Sequence, residues 1–223
     1  MSEGGAREKG RVLYLLIALG AYLVGSVPSG YLIGRVRGVD IRKEGSGNIG
    51  ATNALRVLGK GWGYFCFACD IAKGFLAVFL ARTVVADALD LEPAWSGIVA
   101  AVMVIVGHNF PVWLGFKGGK GIATSGGVIL GLFPWPAFVI PLATWVLLFY
   151  ATRYVSVASI TCAIMVPVSL AGLWLAGWPG SDGAYVVVGV LMAAMAVWRH
   201  RENVKRLLAG TETKFVKRKA KDV

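Results

Sequence analysis

An all-α integral membrane protein is the fold class this sequence predicts, and three observations predict it. Of 223 residues, 57% are hydrophobic and only 16% charged, a shift away from soluble proteins toward the membrane class. The apolar residues collect in seven runs, most of them long enough to cross a hydrocarbon core of ~30 Å at ~1.5 Å per residue. The basic residues gather in alternate loops, as they do when one side of a bilayer retains positive charge. The expectation is about seven transmembrane helices with short or broken segments, N-terminus outside and C-terminus cytoplasmic. They form a single polytopic domain over residues 1–223, with flexible tails at about 1–10 and 212–223.

The first run, Val12 to Gly34, follows Arg7, Lys9 and Arg11 and so mimics a signal peptide. The later spans and the lack of a clean cleavage pattern favour its retention. Within it, Pro28 of Gly25-Ser26-Val27-Pro28-Ser29-Gly30 removes an amide and obstructs the preceding turn. The helix should break there, and the break should line protein or water rather than lipid. A polar, basic stretch from Arg35 to Gly47 precedes a short helical piece, Ile49 to Leu58, and a second span from Trp62 to Val85. The remaining runs are Trp95 to Leu114, Ile122 to Phe133, Trp135 to Tyr150, Val155 to Trp178 and Ala184 to Trp198. Ile122 to Phe133, about twelve residues, is too short for an untilted crossing and is expected to be broken, tilted or re-entrant.

Loops 35–60, 115–121 and 151–154 and the tail after 198 carry Lys and Arg, whereas 86–94, 133–136 and 178–183 carry none. That pattern supports seven crossings with a cytoplasmic C-terminus. The basic N-terminal flank opposes the resulting orientation, and the larger basic tail outweighs it. The net charge of +11 therefore speaks of orientation and anionic lipid, and no nucleic-acid partner is expected. Cys66 and Cys69 form C-x-x-C inside an apolar run, without a second pair or nearby histidines, and read as core.

Two glycine-rich basic stretches, Gly45 to Arg56 (GSGNIGATNALR) and Gly107 to Thr124 (GHNFPVWLGFKGGKGIAT), lie on the predicted cytoplasmic side. Glycine lets successive backbone N–H groups turn toward one point, and a helix starting just after such a turn adds its positive dipole end. A phosphate suits such a place. Ser46, Asn48, Thr52 and Asn53 supply short hydrogen-bonding side chains and Arg56 a bidentate cation, a surface suited to a phosphorylated polyol. Lys117 and Lys120 bracket Gly118 and Gly119; they either contact ligand or anchor to lipid headgroups. His108 stands either for packing or for catalysis, and His200 and Asn203 either for the site or for a solvated helix end. Ser156 and Ser159 either join the site or bond carbonyls of their own helix. Asp70, three residues from Lys73, either forms a structural ion pair with it or touches substrate.

Known motifs are excluded on spacing. Gly45, Gly47 and Gly50 spell G-x-G-x-x-G, but no strand–helix–strand unit surrounds them. Lys117-Gly118-Gly119-Lys120 fails as a Walker A motif, since Leu114 stands where its first glycine belongs and Gly121 follows Lys120. His108 is followed five positions later by Trp113, so there is no H-x4-D acyltransferase motif. Asp70 alone lies deep in an apolar run, which leaves no carboxylate cluster for the metal ions of phospho-alcohol transferases. A metal-free mechanism without cofactor is expected. No equal internal halves suggest an inverted-repeat transporter. A transporter or channel for an organic phosphate is the alternative function that shares the basic rim, and a structural lipid-binding protein a third class.

The blocks GSVPSGYLIG (25–34), GSGNIGATNALRVLGK (45–60), DIAKG (70–74), GHNFPVWLGFKGGKGIAT (107–124), RYVSVASI (153–160) and HRENVKRLLAGTE (200–212) resemble the PlsY family. These are bacterial membrane glycerol-3-phosphate acyltransferases that use acyl phosphate as donor. The resemblance implies a seven-helix enzyme of phospholipid biosynthesis in the bacterial cytoplasmic (inner) membrane, with its active site on the cytoplasmic side. It would move a fatty acyl group from acyl phosphate to sn-glycerol 3-phosphate, giving lysophosphatidate and inorganic phosphate. No metal, acyl-CoA or acyl-carrier protein is implied as direct participant, and an acyl-phosphate-forming enzyme is implied as supplier. Ser46, Asn48, Thr52, Asn53 and Arg56 match the family's first cytoplasmic motif. Gly118, Gly119 and Lys120 match its phosphate loop, and Ser156, His200 and Asn203 match polar positions completing the pocket. The amides of Gly118 and Gly119 are then the candidates to stabilise the oxyanion, and His200 or His108 the variant choice of general base.

Overall fold

The computed structural model describes residues 3–215, with side chains from residue 8 onward. The expected tails lie partly outside the described residues, at 1–2 and 216–223, as do the side chain of Arg7 and the basic residues at 217–221. The described part is helical throughout, with no strand among its residues. Backbone contacts divide the chain into two compact units, 1–134 and 135–223.

In the first unit, α1 (Glu3–Ser26) stops at Pro28 and α2 (Ser29–Val36) resumes after it. The break lines protein: the Val27 carbonyl accepts from Lys73 Nζ at 2.9 Å. A short α3 (Ala51–Leu58) follows, close to the helical piece expected from Ile49. Next comes α4 (Lys60–Leu80), which runs through a π-helical turn at Ala81–Val85 into α5 (Ala86–Leu89). Glu92 accepts the Trp95 amide at 2.9 Å, and with Pro93 in the first turn it starts α6 (Pro93–Asn109). A 3₁₀ turn at Val112–Leu114 and the glycine loop then lead to α7 (Ile122–Leu132).

Small residues set the closest approaches, as they do where lipid supplies no hydrophobic drive between helices. A Cβ on Gly25 of α1 would strike the Val104 carbonyl of α6, and one on Gly107 of α6 the Tyr22 carbonyl of α1. Gly74 of α4 and Gly127 of α7 meet the Thr124 and Ile71 carbonyls in the same way. Overpacking such a contact costs about 1–3 kcal/mol. Arg82 Nη1 donates to the Gly131 and Leu132 carbonyls at 3.0 and 3.1 Å. It thereby satisfies the end of α7.

In the second unit, α8 (Pro136–Thr152) packs on α9 (Val155–Leu175), and α9 on α10 (Gly183–Arg199). Asp182 caps α10 by accepting the Ala184 amide at 2.6 Å. The chain bends by 55° at His200 into α11 (Arg201–Leu208). After α11 it returns to the start of α9, where the Phe215 amide donates to the Arg153 carbonyl at 2.8 Å.

Each of the seven expected apolar runs contains a helix. Among the described residues four helical stretches, Glu8–Val36, Lys60–Leu89, Pro93–Leu114 and Val155–Leu175, are long and apolar enough to cross a membrane, and five if the bent pair α10–α11 is one span. Helices α7 and α8 are apolar but shorter. Leu15, Leu147 and Val187 are 68, 70 and 60% exposed, so large apolar side chains cover the outside, the surface a bilayer matches and water does not. Residues 3–10, placed in a flexible tail by the sequence, belong to α1.

Candidate functional site

The predicted site residues fall in both units, and each group is described within its own.

In the first unit, loop 40–50 is shaped by side chains that turn back on its backbone. Asp40 takes Arg42 Nε and Nη2 at 2.9 and 2.7 Å, and the guanidinium lies 4.5 Å from the Tyr31 ring centroid. The Arg42 hydrogen bonds pull the Asp40 carboxyl down to about 2. Asn53 is buried with its amide saturated: Oδ1 accepts the Ser46 amide at 2.8 Å, and Nδ2 donates to the carbonyls of Ile41 and Glu44 at 2.9 and 3.1 Å. Asn53 therefore builds the loop, and its polar atoms face protein where the sequence suggested ligand. Gly45 has φ +59°, and a Cβ there would overlap Asn53 Oδ1, so glycine is required on two grounds. Asn48 Oδ1 accepts the Gly50 amide at 2.8 Å, an Asx turn leading into α3. Ser46 is exposed and Thr52 and Arg56 half-buried, so these three remain accessible.

The glycine loop lies across the C-terminal end of α6. Gly118 donates its amide to the Asn109 carbonyl at 3.2 Å, and Gly119 to the His108 carbonyl at 3.1 Å. These amides, expected to stabilise an oxyanion, thus serve in this conformation to dock the loop. A Cβ on Gly118 would strike the His108 carbonyl and Pro111, and one on Gly119 the His108 ring. Close approach explains both glycines. Gly121, at φ +81°, precedes α7. Lys117 is exposed and Lys120 half-buried, the cations of this loop. His108 is buried against Gly119.

Behind the loop lies a charged pair deep among the helices. Asp70 and Lys73, 2% and 8% exposed, meet at 2.8 Å. Asp70 Oδ1 also accepts from Ser29 Oγ at 2.9 Å, and His108 Nδ1 lies 3.7 Å from the same oxygen. Inserting either charge alone into hydrocarbon costs on the order of 2.5–3.5 kcal/mol, and the pairing removes that need.

In the second unit, Ser156 Oγ and Asn203 Nδ2 both donate to Glu212 Oε1 at 2.7 Å, while Arg206 Nε donates to Oε2 at 2.7 Å. Burial raises the Glu212 carboxyl, but the hydrogen bonds from Asn203, Ser156 and Arg206 outweigh it, and the carboxyl lies below its usual range. The sequence offered Ser156 and Asn203 but not Glu212, which falls in the expected flexible tail. The only signal for it is its place at the end of the 200–212 block. His200 is buried, with Nδ1 2.7 Å from the Ala196 carbonyl. A carbonyl only accepts, so Nδ1 donates to it. Ser159 Oγ, buried, accepts from Trp145 Nε1 at 3.2 Å.

The first unit thus presents hydroxyls and cations on two glycine-shaped loops, and the second a buried imidazole and a carboxylate held by three donors. A family model described as glycerol-3-phosphate acyltransferase matches residues 15–210. The chain is 45% identical to the glycerol-3-phosphate acyltransferase of Synechococcus sp. (strain CC9902) over 202 residues, 90% of this chain and 94% of that one. Among solved structures it is similar to PlsY, an integral membrane glycerol 3-phosphate acyltransferase, in its glycerol 3-phosphate form. There the identity is 36% and the TM-score 0.79, covering 91% of this chain and 96% of that one. The lysophosphatidic acid form gives 36% identity and a TM-score of 0.76, covering 91% and 95%.

Proposed function

The chain belongs to the glycerol-3-phosphate acyltransferase family, and on that premise we propose how it works. It is a multi-pass membrane enzyme of phospholipid biosynthesis, an acyltransferase acting on glycerol 3-phosphate. The acyl donor we assign is acyl phosphate, delivered by an enzyme that forms it, and the products are 1-acyl-glycerol 3-phosphate and inorganic phosphate. The relatives solved in glycerol 3-phosphate and lysophosphatidic acid forms bear the acceptor and the product in their names.

The observation that carries the reading is the glycine loop 117–121, docked on the end of α6 through Gly118 and Gly119, with Lys120 next to them in the loop. Acyl phosphate is already activated, since phosphate is a good leaving group. The glycerol 1-hydroxyl oxygen forms a bond to the acyl carbon, the bond from that carbon to the phosphate oxygen breaks, and the hydroxyl proton passes to the departing phosphate. Enzyme groups align the reactants and neutralise charge. Ser46, Thr52 and Arg56 bind phosphate and polyol oxygens. Lys120, with Lys117 at the rim, balances phosphate charge and the developing oxyanion. Gly118 and Gly119 hold the loop at its height through His108. Asn48 and Asn53 fix the shape of the first loop. Ser156 and Asn203 we assign to substrate binding on the resemblance of their blocks to the family's, with Glu212 ordering both, and His200 or His108 is the alternative proton acceptor.

We further propose seven crossings, N-terminus outside and C-terminus cytoplasmic, with the loops bearing these residues on the cytoplasmic side of a bacterial inner membrane. The alternation of basic and uncharged loops supports it.

The test is phosphate release by purified, detergent-solubilised protein given glycerol 3-phosphate and palmitoyl phosphate, with palmitoyl-CoA as control donor. Lysophosphatidate formed only from the acyl phosphate is expected. Product from neither donor, with the protein folded, would replace the enzyme with an organic-phosphate transporter. A covalent acyl-enzyme trapped with donor alone would overturn direct transfer.

A further inference from the structure

The ion pair of α4 touches a third element. Asp70 Oδ1 receives Lys73 from α4 at 2.8 Å, Ser29 from α2 at 2.9 Å, and faces His108 Nδ1 of α6 at 3.7 Å. That last distance exceeds a hydrogen bond, and it sets the carboxylate directly against the ring's Nδ1 edge. The opposite edge of the ring, Nε2, packs on Gly119, whose amide in turn donates to the His108 carbonyl. Lys73 is steadied as well, by the Val27 carbonyl at 2.9 Å. A self-contained ion pair needs none of these attachments. Here Ser29 and the Val27 carbonyl fix the pair from the break in the first span, and the carboxylate so fixed stands against the ring that supports the glycine loop.

We propose that Asp70, fixed by Ser29 and Lys73, is a positioning residue for the phosphate loop: it sets the orientation of His108, which sets the height of Gly119 and so of Lys120. Asp70 itself touches no substrate. The inference rests on the acyltransferase reading for its kinetic consequence, and on the loop alone for its structural one.

The test removes both charges together, Asp70→Asn with Lys73→Met, so that no lone charge stays buried. Amide hydrogen exchange in lipid nanodiscs reads the loop without reference to activity. Exchange at Gly118 and Gly119 should quicken at least tenfold while α9 is unchanged. In turnover, KM for one phosphorylated substrate should rise and kcat should fall, each about tenfold, as Lys120 is displaced. In a His108→Phe background the same pair of substitutions should add little further. Unchanged loop exchange, or an equal KM effect with His108 absent, would reduce Asp70–Lys73 to an ion pair of the helix bundle. An inactive wild-type chain with the exchange result intact would sink the acyl-phosphate reading and leave this inference standing.

Discussion

Lys73 reaches 2.9 Å from α4 to the carbonyl of Val27, the residue just before the proline that breaks the first span. The same ammonium lies 2.8 Å from Asp70. One cation therefore both balances a buried carboxylate and satisfies backbone at the break.

Lys73→Met should destabilise the protein by about 3–5 kcal/mol, because it leaves Asp70 charged and buried. Adding Asp70→Asn should restore a large part of that loss. Unfolding midpoints of the two variants in detergent decide it: a double variant no more stable than the single one would contradict the pairing.

Asn53→Ala should loosen loop 40–50. It strands the Ser46 amide and the Ile41 and Glu44 carbonyls, a loss of about 1–3 kcal/mol. Faster proteolysis within 41–48 and a raised KM for glycerol 3-phosphate are the expected readouts; a rigid loop with normal KM would show that the amide is dispensable.

On the proposed role of its charge toward phosphate and oxyanion, Lys120→Ala should lower kcat at least a hundredfold with the protein still folded. Cys69→Ala, on a thiol outside the machinery, should turn over near normally. Steady-state kinetics on both variants checks the assignment.

Glu212 gives a pH dependence whose sign is fixed. Its folded pKa lies below the ordinary 4.5, so its contribution is complete above that value and is lost as pH falls through the lower folded one. Residues 209–215 should become protease-sensitive over that acid window. In Glu212→Gln they should be loose already at neutral pH and stay so.

Single cysteines at the two ends of α7, labelled from either side of sealed vesicles, should react from opposite faces if the seven-crossing topology holds. Labelling of both ends from one face would make α7 re-entrant. At eleven residues the helix is about 16 Å long, so a crossing requires a locally thinned bilayer.

Much of this architecture is legible in the sequence because hydrophobic length is a property of contiguous residues. The seven apolar runs, the Pro28 break and the short helix before Leu58 all declare themselves locally. So does the three-residue spacing of Asp70 and Lys73. What is not legible depends on which distant atom a group meets. The amides of Gly118 and Gly119 look free in a glycine-rich string, yet the His108 and Asn109 carbonyls engage them. Asn53 reads as a ligand-binding amide until its partners at Ile41 and Glu44 are seen. Glu212 reads as tail, because its role needs the return of the chain to Ser156, 56 positions away in sequence.

The saturation of Asn53 has a consequence for affinity. A loop rich in glycine carries large conformational entropy, and a ligand that had to organise it would lose binding free energy in doing so. Here one side chain freezes residues 41–46 during folding. The loop is preorganised, and a ligand bound on it would keep most of its intrinsic binding free energy.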